Sequence, residues 1–182
     1  NKKETKKSDN DKTVEVDKSV PPKDGSRIYI ETLKTIYKKT KRDELTKDSC
    51  EIIPIKEVNG LLDSATICGE LISLETTITK NEDYVINLFI LTDYTNSYKI
   101  KIFQKNDKNQ ITDNLKKGKW YVVKGNIIND PYLREEIMEA TFIGTVETYE
   151  RTDTAEKDKK RIELHLHTNM SALDAMTPVK EI

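Results

Sequence analysis

The chain has 182 residues, room for one domain and part of a second, and its charged share equals its apolar share at 35% each. So little apolar material leaves some of the chain solvated, and a net charge of −1 points to no class of partner. No apolar run reaches the roughly 18 residues of a membrane helix, residues 1–12 lack the apolar centre of a secretory signal, and Cys50 and Cys68 are too far apart for a CxxC site. No membrane contact, a cytoplasmic location and two free thiols are expected.

Residues 1–26 are mostly Lys, Asp, Glu, Ser and Thr, broken by Pro21-Pro22 and Asp24-Gly25. They bury too little to offset their ordering entropy and read as a disordered tether. Ile30, Leu33, Ile36 and Tyr37 have helix-like spacing, although Arg27-Ile-Tyr-Ile also reads as a strand. A short strand or turn at 27–30 and then a short helix over 31–40, inside a largely disordered linker spanning 1–49, are expected. Residues 51–58 are extended, because Pro54 resists a helix and restricts Ile53.

Strands are expected at 65–79, 84–92, 98–103, 119–128 and 136–147, within a domain spanning 50–147. Gly69 marks a bend in the first of them. The second, Tyr84 to Thr92, is apolar on both faces, which suggests a covering element. In the third, Tyr98, Ile100 and Ile102 alternate with Lys99, Lys101 and Phe103, the first set inward and the second outward. A short helix fits residues 108–117, with Ile111 and Leu115 four apart and Gly118 as its stop. Three strands, a helix and two more strands, with glycines in the first and fourth strands, is the order of an OB-fold. This is a mainly β, five-stranded Greek-key barrel whose second and third strands commonly carry oligonucleotides.

The stretch from Tyr98 to Lys124 carries eight lysines against Asp107 and Asp113. Lys99 and Lys101 project from one strand face about 7 Å apart at the usual strand rise, a spacing that suits successive phosphates of an extended single strand. Tyr94, Phe103 and Trp120 offer flat faces for bases, worth roughly 1–3 kcal/mol per stacked base. Lys119 and Lys124 add cations beside Trp120. Plainer readings stand against each of these: outward lysines are ordinary solvation, Trp120 fits the cap of a barrel end, and Phe103 fits packing against the helix.

A polar linker over 148–160 precedes Arg161-Ile-Glu-Leu-His-Leu-His167. His165 and His167, the only histidines, sit two apart in this expected strand, so both rings point to one side and can converge on a metal. On spacing alone a pair of surface histidines bonded to neighbours is the plainer reading, since only Asp174 lies near enough to add to a coordination shell. The chain starts on Asn1 and stops at Ile182 as a new apolar–polar alternation begins; a piece of a longer polypeptide is expected.

Three runs together resemble one family: Ile90-Leu-Thr-Asp-Tyr-Thr-Asn-Ser-Tyr98, Leu115-Lys-Lys-Gly-Lys-Trp-Tyr-Val-Val-Lys-Gly-Asn-Ile-Ile-Asn-Asp130, and Arg161-Ile-Glu-Leu-His-Leu-His-Thr-Asn-Met-Ser-Ala-Leu-Asp-Ala175. The resemblance is to PolC, the replicative DNA polymerase III alpha subunit of low-GC Gram-positive bacteria, and covers roughly residues 50–182. It implies an OB domain followed, over 161–182, by the start of a PHP domain. His165 and His167 would then be the first two ligands of the PHP metal, Zn²⁺ or Mn²⁺. It further implies a parent DNA-directed DNA polymerase that uses Mg²⁺, carries an inserted 3′–5′ proofreading exonuclease, and works with template single-stranded DNA and replisome subunits such as the sliding clamp. The segment alone is expected to be inactive. The alternatives are a non-enzymatic OB-fold protein that binds single-stranded DNA or tRNA, and a PHP phosphoesterase with an OB appendage.

Overall fold

A computed structural model describes residues 15–22, 26–106, 110–150, 156 and 159. Six strands carry the fold: β1 (Ile28–Lys38), β2 (Ser64–Ile78), β3 (Tyr84–Thr92), β4 (Ser97–Lys105), β5 (Trp120–Asp130) and β6 (Glu135–Thr148). The five expected strands are therefore present, each within two residues of its expected ends.

β2 pairs with β3 and with β5, β3 with β4, and β5 with β6, all antiparallel. A short parallel contact, Ile100 with Met138 and Lys101 with Glu139, joins β4 to β6. The ring β2–β3–β4–β6–β5–β2 is thereby closed, which removes the exposed edges an open sheet would leave. Closure needs sharp bends, and two glycines supply them. A Cβ on Gly69 would lie 2.7 Å from the Thr92 carbonyl oxygen, and one on Gly125 would lie 2.4 Å from that of Glu139. Gly125 also sits at the β5–β6 register shift, so backbone meets backbone where any side chain would block it.

Period-2 alternation fills the ring. Ile67, Leu71, Phe89, Leu91, Ile100, Ile102, Val123, Met138 and Ile143 form one core, and each fully buried Ile, Leu or Phe contributes roughly 1.5–3 kcal/mol. Ile55 enters this core beside the β3–β4 turn, where its N–H donates to Asp93 Oδ2 at 2.8 Å. Ile111 and Leu115 enter by the far end of β4, where the Ile111 N–H donates to Gln104 Oε1 at 3.2 Å. Among its described residues, 110–117, the helix expected over 108–117 is only a 3₁₀ turn, Ile111–Asn114. Thr112, Asp113 and Asn114 are poor helix formers, and two apolar anchors do not offset the cost of nucleating a longer helix.

The N-terminal region departs most from expectation. The helix expected over 31–40 is absent, and the described part of the 1–49 linker is not a loose tether. β1 lies antiparallel to the second half of β6, from Ile28 opposite Thr148 to Lys38 opposite Phe142, with two register shifts. At the first shift Thr32 is buried, and its Oγ1 accepts from the Glu147 N–H at 2.8 Å, replacing a ladder bond. β-branched Ile and Thr suit such a strand. Behind it, Ile28, Leu45, Cys50 and Ile52 cover a second core formed by the outward side chains Cys68, Trp120, Val122, Phe142 and Val146.

The unit ends at Glu150. The expected linker from 151 onward and the segment 161–182, with His165 and His167, lie outside the described residues apart from Glu156 and Lys159.

Candidate nucleic-acid interface

The outward face of β3 and β4 follows from the same alternation. In β3 it presents Tyr84, Ile86, Leu88 and Ile90; directly opposite in β4 stand Lys105, Phe103, Lys101 and Lys99. The covering element that the two-sided β3 pattern suggested is not there among the described residues. Ile86, Leu88 and Ile90 remain half-buried, forming an apolar stripe between aromatic and cationic neighbours. At one end the rings of Tyr84 and Phe103 stack, with centroids 4.7 Å apart and planes 20° apart. Phe103 is 48% exposed, so one ring face is open.

Lys99 and Lys101 do share this face, as expected, but neither is a free cation. Lys99 Nζ contacts the Glu135 carboxylate at the start of β6. Lys101 Nζ lies 2.5 Å from Asp130 Oδ2 at the end of β5. Asp130 is 2% exposed, and its Oδ1 also accepts the N–H groups of Tyr132 and Leu133 at 2.8 and 3.0 Å. Lys101, and after it these backbone donors, hold the Asp130 carboxyl below the usual carboxylate range. Lys101–Asp130 is thus a structural tie that shapes the β5–β6 turn.

The other four candidates stand elsewhere on the ring. Trp120 and Lys124 lie on the outer side of β5, which adjoins β2 and β6 rather than β3 or β4. Trp120 is only 9% exposed. Its ring centroid is 6.1 Å from that of Tyr94, and the Arg27 guanidinium lies 5.2 Å from the Tyr94 centroid and 5.3 Å from that of Trp120. The Tyr94 hydroxyl donates to Glu70, whose carboxylate pushes the phenol pKa up. Lys119 precedes Trp120, with its carbonyl accepting from the Leu71 N–H at 2.9 Å. Tyr94 and Trp120 therefore form a second patch with Arg27, in which the Trp120 ring is covered by the protein's own side chains, and the Lys119 and Lys124 side chains are not brought into contact with it.

Sequence reasoning missed Tyr84, which pairs with Lys105 in register and was legible from the alternation. It also missed the counter-ions Asp130 and Glu135, Arg27, and Tyr132, which is 90% exposed at the β5–β6 turn. Cys50 and Cys68 are free thiols, as expected, and burial pushes both thiol pKa values up. Among the described residues no cluster of three His, Cys, Asp or Glu side chains could hold a metal, and no helix is long and apolar enough to cross a membrane.

Five strands closing in this order, with a sixth strand added outside, define an OB-fold. No model of a known protein family matches the chain. By sequence the chain is a relative of the PolC-type DNA polymerase III proteins and matches one segment of them. It is 38% identical to DNA polymerase III PolC-type of Bacillus cereus over 140 residues, 76% of this chain and 10% of that protein. It is also 38% identical to the Clostridium perfringens protein of the same name over 136 residues, 74% of this chain and 9% of that one. The chain thus spans about a tenth of the length of these curated relatives. Among solved structures, the second OB-fold domain of replication protein A from Methanococcus maripaludis superposes with a TM-score of 0.41 at 22% identity, covering 54% of this chain and 97% of that domain.

Proposed function

We propose that this chain is the OB-bearing segment of a replicative DNA polymerase of the PolC type, and that its β3–β4 face contacts single-stranded template DNA. The observation that carries the interface reading is the open Tyr84–Phe103 stack at the end of the half-buried Ile86, Leu88, Ile90 stripe. These strands are the ones OB-folds commonly use for oligonucleotides. A base would stack on Phe103, its neighbours would lie along the stripe, and Lys105, which has no ion pair among the described residues, would meet a phosphate.

On this reading the parent polypeptide is a DNA-directed DNA polymerase of the cytoplasm that uses Mg²⁺, proofreads 3′–5′ and works with a sliding clamp. His165 and His167 would be the first ligands of a PHP metal site, taking Zn²⁺ or Mn²⁺. The family names of the relatives and the His-x-His spacing support these steps.

Titrating a fluorescent oligothymidine into the 182-residue chain at low salt tests the interface. Micromolar binding that weakens steeply with salt is expected, and its absence overturns the reading. The coding frame beyond Ile182 tests the parent: carboxylate motifs of an exonuclease inside a PHP domain support it. An early stop codon would instead favour a free-standing OB protein that binds single-stranded DNA or tRNA.

A further inference from the structure

The two lysine–carboxylate pairs on the β3–β4 face are not equivalent. Asp130 is buried and holds two backbone N–H groups besides Lys101, so moving it would orphan three donors. Glu135 is 42% exposed, and among the described residues its carboxylate has Lys99 as its one partner. Lys99 is itself 32% exposed. The pair meets in an open recess of about 330 Å³, with Val58 and Ile90 as apolar walls, Asn96 and Ser97 beside them, and a second carboxylate, Glu136, that accepts from the Tyr98 hydroxyl at 2.7 Å. A carboxylate on a lysine ammonium has the charge and the hydrogen-bond acceptors of a bound phosphate.

We propose that Lys99 is a second phosphate-receiving cation of the face, beside Lys105, and that Glu135 is its resident counter-ion, displaced when a phosphodiester enters the recess. The proposal rests on the nucleic-acid reading of the face. It assigns the two pairs opposite roles: Lys101–Asp130 is kept in both states, whereas Lys99–Glu135 is exchanged. Glu135 thereby lowers affinity and flattens the salt dependence, because the freed carboxylate must recruit a cation from solution when the phosphate arrives.

The test measures oligothymidine affinity across a salt series for the wild-type chain, Glu135→Gln, Lys99→Ala and the double variant. Glu147→Gln removes the same charge from the exposed Lys18–Glu147 pair near the other end of β6 and serves as the control. Glu135→Gln is expected to tighten binding about two- to five-fold, the range an exposed ion pair supports, and to steepen the log–log salt slope by up to about 0.7. Lys99→Ala should weaken binding, and adding Glu135→Gln to it should restore little. If the wild type binds but Glu135→Gln binds no tighter, or Glu147→Gln tightens equally, the counter-ion role is overturned while the interface stands. If neither the wild type nor Glu135→Gln binds, both fall together.

Discussion

Two places on this barrel combine aromatic rings with cations, and they have opposite fates. On the β5 side, Trp120 is packed under Arg27 and Tyr94 and backed by the covering layer from Ile28 to Ile52. On the β3–β4 side, Phe103 and Tyr84 stack on each other and leave an outer ring face in water. The same residue types serve structure where the chain supplies their partners and are available for recognition where it does not. What separates them is the N-terminal region, which folds back as β1 and covers one side of the ring only.

The sharpest way to break this comparison is Trp120→Ala. If the β5 patch is structural, this variant should lose about 3–5 kcal/mol of stability in urea unfolding while the folded fraction keeps its affinity for oligothymidine. A larger change in affinity than in stability would reverse the assignment. Asp130→Ala should cost about 1–3 kcal/mol, because it leaves Lys101 and two backbone N–H groups without their acceptor. Its pH dependence is also defined. The Asp130 carboxyl is lowered in the folded state, so its stabilisation is present above the ordinary carboxylate range and fades as pH falls through the lowered value. The wild-type melting temperature should therefore drop more on acidification below about pH 4 than that of the variant. Phe103→Ala should do the reverse of Trp120→Ala: stability lower by only about 0.5–1.5 kcal/mol, the worth of its stack on Tyr84, with binding weaker by about 1–3 kcal/mol per lost stack. Smallest is Arg27→Ala, where an exposed cation–π contact is worth roughly 0.5–1 kcal/mol; a melting curve should register it, and a DNA titration should not.

Much of this was legible in the sequence, for a local reason. β3 and β4 alternate cleanly, so the inward Tyr98, Ile100 and Ile102 and the outward Lys99, Lys101 and Phe103 could be sorted by period alone. Only the start of β1, Ile28 to Ile30, was legible; its continuation to Lys38 was not, because its two register shifts break the alternation and its partner, β6, lies about a hundred residues away in the chain. The bulges bring Leu33 and Ile36 into helix-like spacing with Ile30. Lys99 and Lys101 were placed on the correct face but not with their partners, since Glu135 and Asp130 are 36 and 29 residues distant and meet them only when the ring closes. The candidate set divides for the same reason: Tyr94, Trp120 and Phe103 are alike in sequence, and the Arg27 guanidinium lies over the first two only in the folded chain.

The short parallel closure between β4 and β6 has a mechanical consequence. Only two residue pairs define that seam, yet two side-chain clasps reinforce it, Tyr98 to Glu136 at 2.7 Å and Lys99 to Glu135, while Lys101 to Asp130 ties β4 to the end of β5 beside it. Any anion that takes Lys99 away from Glu135 opens one clasp of the two. Occupancy of the outer face and breathing of the cylinder are then coupled, and amide exchange at Met138 and Glu139 becomes an internal gauge of what is bound outside.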